Sequence, residues 1–164
     1  MSHIGKGSYA TVSLAIEKST QKPFAVKIYE RVAALDPQRL LNIEREIKNL
    51  KQLKHKNIVS LIHAVNDKKK VFLVMENAGK NSLHSLMRRR ESKRFSEADA
   101  KHYFRQLLEA MSCCHRNRIC HRDIKLENIL VNESNQVKLI DFGFSVMSKG
   151  KQNTYCGTPS YMAP

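Results

Sequence analysis

Tryptophan is absent from this 164-residue chain, and glycine, proline and cysteine are sparse at six, four and four residues. So little glycine and proline excludes collagen-like and low-complexity architectures, and 41% hydrophobic with 27% charged residues is the composition of a folded globular chain. Long apolar runs are missing too. Val71 to Met75, the longest, falls far short of a bilayer span, and Met1-Ser2-His3-Ile4-Gly5 has no apolar signal core, so neither a membrane span nor secretion is expected. Cys113, Cys114, Cys120 and Cys156 lack the paired spacing of a zinc site, and two of them are adjacent. Reduced thiols in the cytoplasm, with the nucleus as the alternative, are the expectation. Acidic residues are also in short supply, 15 against 29 basic ones, for a net charge of +14. Because residues 1–78 and 79–164 each carry +7, there is no basic tail. The clusters Lys68-Lys69-Lys70 and Arg88-Arg89-Arg90 with Lys93 and Arg94 read as solvated loop and helix charge, and no nucleic-acid partner is expected.

Two textures are present. From Tyr9 to Ile28, two apolar stretches around a polar interval, Glu17 to Lys22, predict a hairpin. Asp36-Pro37 then supplies a helix start, and Leu40, Ile43, Ile47, Leu50 and Leu53 recur at helical steps. Ile58 to Val65 and Val71 to Met75 predict two more strands. After the polar stretch Asn77 to Asn81 the pattern turns helical: Leu83 to Arg90, then a longer helix entered through Ser96-Glu97-Ala98-Asp99. Ile129 to Val131 and Val137 to Ile140 predict a second small hairpin.

The chemistry-bearing residues are set on this frame. Gly5-Lys6-Gly7-Ser8-Tyr9-Ala10-Thr11-Val12 is a glycine-rich turn, a backbone able to lie close over phosphates or simply a tight hairpin turn. Ala25-Val26-Lys27 places an ammonium in an apolar strand, where it is either outward-facing or paired with an anion. Glu46 lies three after Ile43 and four before Leu50 and shares their inward face, whereas Glu44 is rotated off it. The strongest local signal is Cys120-His121-Arg122-Asp123-Ile124-Lys125-Leu126-Glu127-Asn128, with Asp141-Phe142-Gly143 beginning 18 residues after Asp123.

In this order, ending on Cys156-Gly157-Thr158-Pro159-Ser160-Tyr161-Met162-Ala163-Pro164, the motifs resemble a eukaryotic protein kinase catalytic domain of the serine/threonine type, over practically the whole chain. Its texture is most similar to the calcium/calmodulin- and AMP-regulated groups. The resemblance implies an α+β, bilobal fold: a small antiparallel-sheet lobe with one helix over 1–76, a hinge over 77–81, and a partial, mainly helical large lobe over 82–164. It implies ATP and Mg2+ as cofactors, a protein bearing Ser or Thr as substrate, and an upstream activating kinase. By the same likeness Lys27, held by Glu46, grips the α and β phosphates, and the amides around Gly7 and Ser8 cover the β and γ groups. Asn128 and Asp141 hold the metal, Asp123 orients the hydroxyl and accepts its proton, Lys125 steadies the γ-phosphate, and Thr158 contacts both.

The adenine pocket carried over from the family has Ile4, Val12 and Ala25 as roof, Leu130 as floor, Met75 guarding the back, and Glu76 and Ala78 as hinge backbone, beside the loop residues Gly5, Lys6, Gly7, Ser8, Tyr9 and Ala10. Leu50, Leu61, His121 and Phe142 form the stack joining the lobes. Arg122 implies pairing with a phosphate on Thr154. Departures exist: Ala10 replaces the third glycine, Val146 stands where many relatives have a second basic group, and Ser82 stands where basophilic relatives have an acid, although Glu127 is retained. The chain ends at Ala163-Pro164, before the glutamate that closes this motif in the family. The expectation is a fragment with poor or absent catalysis and a partly uncovered Ser96 to His115 helix, the alternative being a non-catalytic nucleotide- or partner-binding module.

Overall fold

The computed structural model of the chain describes residues 2–7, 10–30, 37–148, 150 and 156–162. Five strands, β1 (Ser2–Lys6), β2 (Thr11–Ile16), β3 (Pro23–Glu30), β4 (Leu61–Asn66) and β5 (Lys70–Glu76), form one antiparallel sheet in the order β1-β2-β3-β5-β4. The polar interval Glu17 to Lys22 is the β2–β3 turn, closed by Glu17 N–H on the Lys22 carbonyl at 2.9 Å. In β5 the period of two buries Val71, Leu73 and Met75 on one face. Helix α1 (Pro37–Gln52) lies against that face, with Ile43 packed on Tyr29, Val71 and Leu73. Its buried positions Ile43, Glu46, Asn49 and Leu50 follow the helical period, and Glu44 is exposed. Asp36, the expected helix cap, lies outside the described residues.

The strand expected from Ile58 begins only at Leu61. The reason is tertiary: Ile58 bridges Leu139 in parallel, Leu139 N–H bonds the Asn57 carbonyl at 2.9 Å, and Val59 N–H bonds the Leu139 carbonyl at 3.0 Å. Residues 57–59 therefore belong to the second half of the molecule before the chain enters the first sheet.

That half contains the two-residue strand β6 (Asn81–Ser82), α2 (Leu83–Arg88), α3 (Glu97–Arg116), β7 (Ile119–Cys120), β8 (Ile129–Val131), β9 (Val137–Leu139) and β10 (Val146–Met147). Ser82 caps α2 by accepting from Ser85 N–H at 3.1 Å, and Ser96 caps α3 by accepting from Asp99 N–H at 3.1 Å. Asn81 and Ser82, at the end of the expected hinge, pair with Val131 and Leu130 of β8. Gly79 passes so close to β8 that a Cβ there would meet the Val131 carbonyl oxygen at 2.5 Å, and its φ of +116° is one that favours glycine. One buried cluster spans both halves, from Leu50, Leu53 and Met75 to Ala110, Cys114, Ile129, Leu139 and Phe142. Phe104 and Leu108 of α3 are 59% and 53% exposed, an uncovered apolar face as expected. Among the described residues, no helix is long and apolar enough to cross a membrane.

Candidate active site

Strand β3 delivers Lys27 to the inner face of the sheet, opposite Val12 of β2 and Leu73 of β5. Its ammonium lies 2.8 Å from Glu46 Oε1 and 2.7 Å from Asp141 Oδ1. Two of these residues are 114 positions apart in the chain, and the fold brings them into contact. The Glu46 side chain is 1% exposed, so its charge is removed from water and held by direct partners. Burial by itself pushes the Lys27 ammonium down, but the Glu46 and Asp141 carboxylates overcome this and hold it well above the usual lysine value of 10.5.

The segment between β7 and β8, which carries His121, Asp123, Lys125 and Asn128, arranges a second cluster. Asp123 Oδ1 accepts from Thr158 Oγ1 at 2.6 Å, and Oδ2 accepts from Lys125 Nζ at 2.9 Å and Asn128 Nδ2 at 3.0 Å. Lys125 Nζ also donates to Thr158 Oγ1 at 2.8 Å, closing a triangle of amine, carboxylate and hydroxyl. Burial raises Asp123, and the bonds from Thr158 and Lys125 outweigh it, leaving the carboxyl below its usual 3.8. His121 is 1% exposed and kept neutral by that burial; since Nδ1 accepts from Asp123 N–H at 3.2 Å, Nε2 carries the proton and donates to the Ile140 carbonyl at 3.0 Å. His121 thereby braces the backbone of Asp123. Its ring meets Phe142 edge-on at 4.7 Å; of the other residues expected in the stack, Leu50 lies with Phe142 in the joint cluster and Leu61 packs against that cluster.

Thr158 is placed by its neighbour. Gly157 has φ +109°, and a Cβ there would lie 2.5 Å from the Arg122 carbonyl oxygen. Gly157→Ala is expected to cost about 1–3 kcal/mol and to lift Thr158 off Asp123. Thermal unfolding together with phosphate transfer checks this, and an unchanged unfolding midpoint would show that the segment does not rest on the loop.

Asp141 has a side chain 45% exposed, and its Oδ2 has no partner among the described residues. Burial raises its carboxyl, and the charge and hydrogen bond of Lys27 outweigh this, leaving it below its usual 3.8. Asn128 donates through Nδ2 to the Asp123 carbonyl at 2.9 Å as well as to its carboxylate, which leaves the amide oxygen for another partner. A carboxylate and an amide oxygen suit a hard cation that takes its remaining ligands from phosphate and water. Among the described residues, no group of three or more His, Cys, Asp or Glu could hold a metal by itself.

These directions set a pH dependence. A raised Lys27 contributes stability that is complete below the unfolded value of 10.5 and is lost as pH rises through its folded value. Depressed Asp123 and Asp141 contribute above the unfolded 3.8 and lose that contribution as pH falls through their folded values. Between the two limits these contributions are complete, so urea midpoints are expected to show no pH dependence from these groups there and to fall outside both; an alkaline decline already complete at pH 9 would contradict the placement of Lys27.

Of the expected nucleotide pocket, Met75 and Ala78 are buried, Ala25 pairs with Met75 across β3 and β5, and Leu130 of β8 is half-buried. Ile4 is 53% exposed on β1. Gly5 pairs with Val12 and Lys6 with Thr11, while Gly7 N–H bonds the Ala10 carbonyl at 2.8 Å, so the glycine turn closes the β1–β2 hairpin. Ser8, Tyr9 and Thr154 lie outside the described residues. Glu76 does more than line a hinge: Oε1 accepts from Ser60 N–H at 2.7 Å and from Lys138 Nζ at 2.8 Å, tying β5 to β9. Arg122 Nε donates to the Phe144 carbonyl at 2.7 Å, and Val146 is a strand residue paired with Cys120. Glu127 meets Tyr161 OH at 3.3 Å and His84 Nε2 at 3.7 Å.

Sequence reasoning missed Tyr29, Asn49 and Ser145. Tyr29 OH donates to Glu46 Oε2 at 2.5 Å, and Asn49 Nδ2 donates to Ser145 Oγ at 2.9 Å. Tyr29 was accessible through the strand period, being two residues beyond Lys27, whereas Ser145 carries no local signal.

A model of the protein kinase domain matches residues 1–164. The chain is 40% identical over 163 residues to NUAK family SNF1-like kinase 2 of Rattus norvegicus, covering 98% of this chain and 25% of that protein. It is 36% identical to NUAK family SNF1-like kinase 1 of Homo sapiens over 98% of this chain and 24% of the relative, and 35% identical to CBL-interacting protein kinase 31 of Oryza sativa subsp. japonica over 98% and 36%. The chain thus spans between 24% and 36% of the length of these relatives. Since the domain match runs from the first residue to the last and takes in every motif that the folded chain gathers around Lys27 and Asp123, the chain belongs to the protein kinase family.

Proposed function

We propose that the chain transfers the γ-phosphate of ATP, with Mg2+, to serine or threonine hydroxyls of a protein. The observation that carries this reading is the triangle of Asp123, Lys125 and Thr158, in which the carboxylate that would orient a hydroxyl is held by an amine and a threonine on the opposite segment. Phosphoryl transfer needs positioning and charge neutralisation more than covalent chemistry. Lys27, aimed by Glu46, is suited to the α and β phosphates, and the turn at Gly7 to backbone contact with the phosphates beyond them. Asp123 takes the hydroxyl proton late in transfer, and Lys125 offsets charge on the moving group. Asn128 and Asp141 would hold the metal, which when bound supplies positive charge against the phosphate oxygens.

Arg122 beside the catalytic aspartate supports control by phosphate on Thr154, added by an upstream kinase. Four free thiols fit a reducing compartment, the cytoplasm or nucleus. The test is a thermal-shift titration with ATP and Mg2+, followed by phosphate transfer to matched Ser/Thr and Tyr peptides. Stabilisation with labelling of Ser/Thr alone is expected; labelling of Tyr, or no stabilisation, would overturn the reading.

A further inference from the structure

Helix α1 carries Glu46, and whatever fixes that helix fixes the aim of Lys27. Two contacts outside the Lys27 ion pair do so. Glu46 divides its carboxylate between two donors, Lys27 Nζ on Oε1 at 2.8 Å and Tyr29 OH on Oε2 at 2.5 Å. Because strand residues alternate faces, Lys27 and Tyr29 project together from β3, and the Lys27 ammonium stands 5.3 Å from the Tyr29 ring. Tyr29 is 7% exposed and Glu46 1%, so water cannot replace the phenol if it is lost.

One helical turn further on, Asn49, 2% exposed, donates to Ser145 Oγ, which in turn donates to the Phe142 carbonyl at 2.6 Å. The same helix is thus fastened to the sheet beside Lys27 and to the turn that follows Asp141. Ile43 on the sheet and Leu50 in the joint cluster supply the packing, but apolar contacts do not set rotation about the helix axis as directional hydrogen bonds do.

We infer that Tyr29 and Asn49 are positioning residues for nucleotide binding, a two-point latch that keeps Glu46 on Lys27 and joins α1 to the Asp141-Phe142-Gly143 turn. This rests on the nucleotide reading above. Neither residue touches the reacting atoms; each acts through another side chain. Tyr29→Phe is the cleanest probe, since it keeps the ring packed on Ile43, Val71 and Leu73 and removes only the hydroxyl.

Two readouts on the full chain separate positioning from packing. Titration with ATP and Mg2+ is expected to show about tenfold weaker binding for Tyr29→Phe, and a loss of the same order for Asn49→Ala. In a Glu46→Ala background Tyr29→Phe is expected to add nothing, as is Asn49→Ala in a Ser145→Ala background. In the nucleotide-free protein labelled with 15N-lysine, the Lys27 ammonium is expected to give a slowly exchanging NMR signal that Tyr29→Phe abolishes. Unchanged affinity and an unchanged Lys27 signal in Tyr29→Phe, or full additivity with Glu46→Ala, would overturn the latch. A Lys27 signal that depends on Tyr29 in a protein that binds no ATP would uphold the latch and overturn the nucleotide reading.

Discussion

Asp123→Asn is expected to lower phosphate transfer by about 10^2–10^4-fold, the range for loss of a positioned proton acceptor, while ATP binding is retained. The side chain is 3% exposed and both oxygens are occupied, so an amide of the same shape stays in place by turning its oxygen to the donors Lys125 Nζ and Asn128 Nδ2 and its NH2 to the Thr158 hydroxyl oxygen. What it cannot do is take a proton or balance the charge of Lys125. On the function proposed above, Lys27, Gly7 and the hinge serve the nucleotide and Asp123 serves the hydroxyl, so binding and rate are expected to separate. The check is a peptide phosphorylation rate beside a titration with ATP. A variant that keeps the wild-type rate would remove Asp123 from the reaction, and one that loses rate and nucleotide affinity equally would show that the loop had moved.

Lys27→Met acts on both folding and chemistry. Methionine matches the buried stem but leaves Glu46 and Asp141 facing each other without the cation that now lies between them. Tyr29 continues to donate to Glu46, so the carboxylate is not left without any partner. Removing one member of a buried ion pair is expected to cost about 3 kcal/mol of folding free energy, read as a lower urea midpoint at unchanged slope. Phosphate transfer is expected to fall by about 10^2–10^3-fold, the effect of losing one preorganised charge at the transferring group. Wild-type stability in this variant would mean that Glu46 reaches water by rotating away with α1, and would locate the strength of the site in the helix contacts instead of the ion pair.

Legibility of the fold varied with the range of the forces involved. Sheet and helix faces could be read because their periods are local: Ile43, Glu46 and Leu50 share a side of α1, and Ser96 caps the helix that follows it. The strand expected from Ile58 starts three residues late because Asn57, Ile58 and Val59 bond to β9, some 80 residues onward in sequence. The turn between Asn77 and Asn81 was visible as a polar stretch, but not that its end pairs with β8, since a two-residue strand has no period to detect.

Sequence by itself determined which chemical groups this protein carries and the order in which they occur, from the strand lysine through the helix glutamate to the loop aspartate. It also determined their class, because a recurring motif order and the faces of strands and helices are properties of neighbouring residues. Tertiary structure alone decided that Lys27 meets Asp141, that Thr158 closes on Asp123, and that Tyr29, Asn49 and Ser145 hold the helix between them. Those contacts depend on packing of distant segments around Leu50, Phe142 and Leu139, and the free energy of such packing belongs to the assembled core, not to any stretch of chain within it.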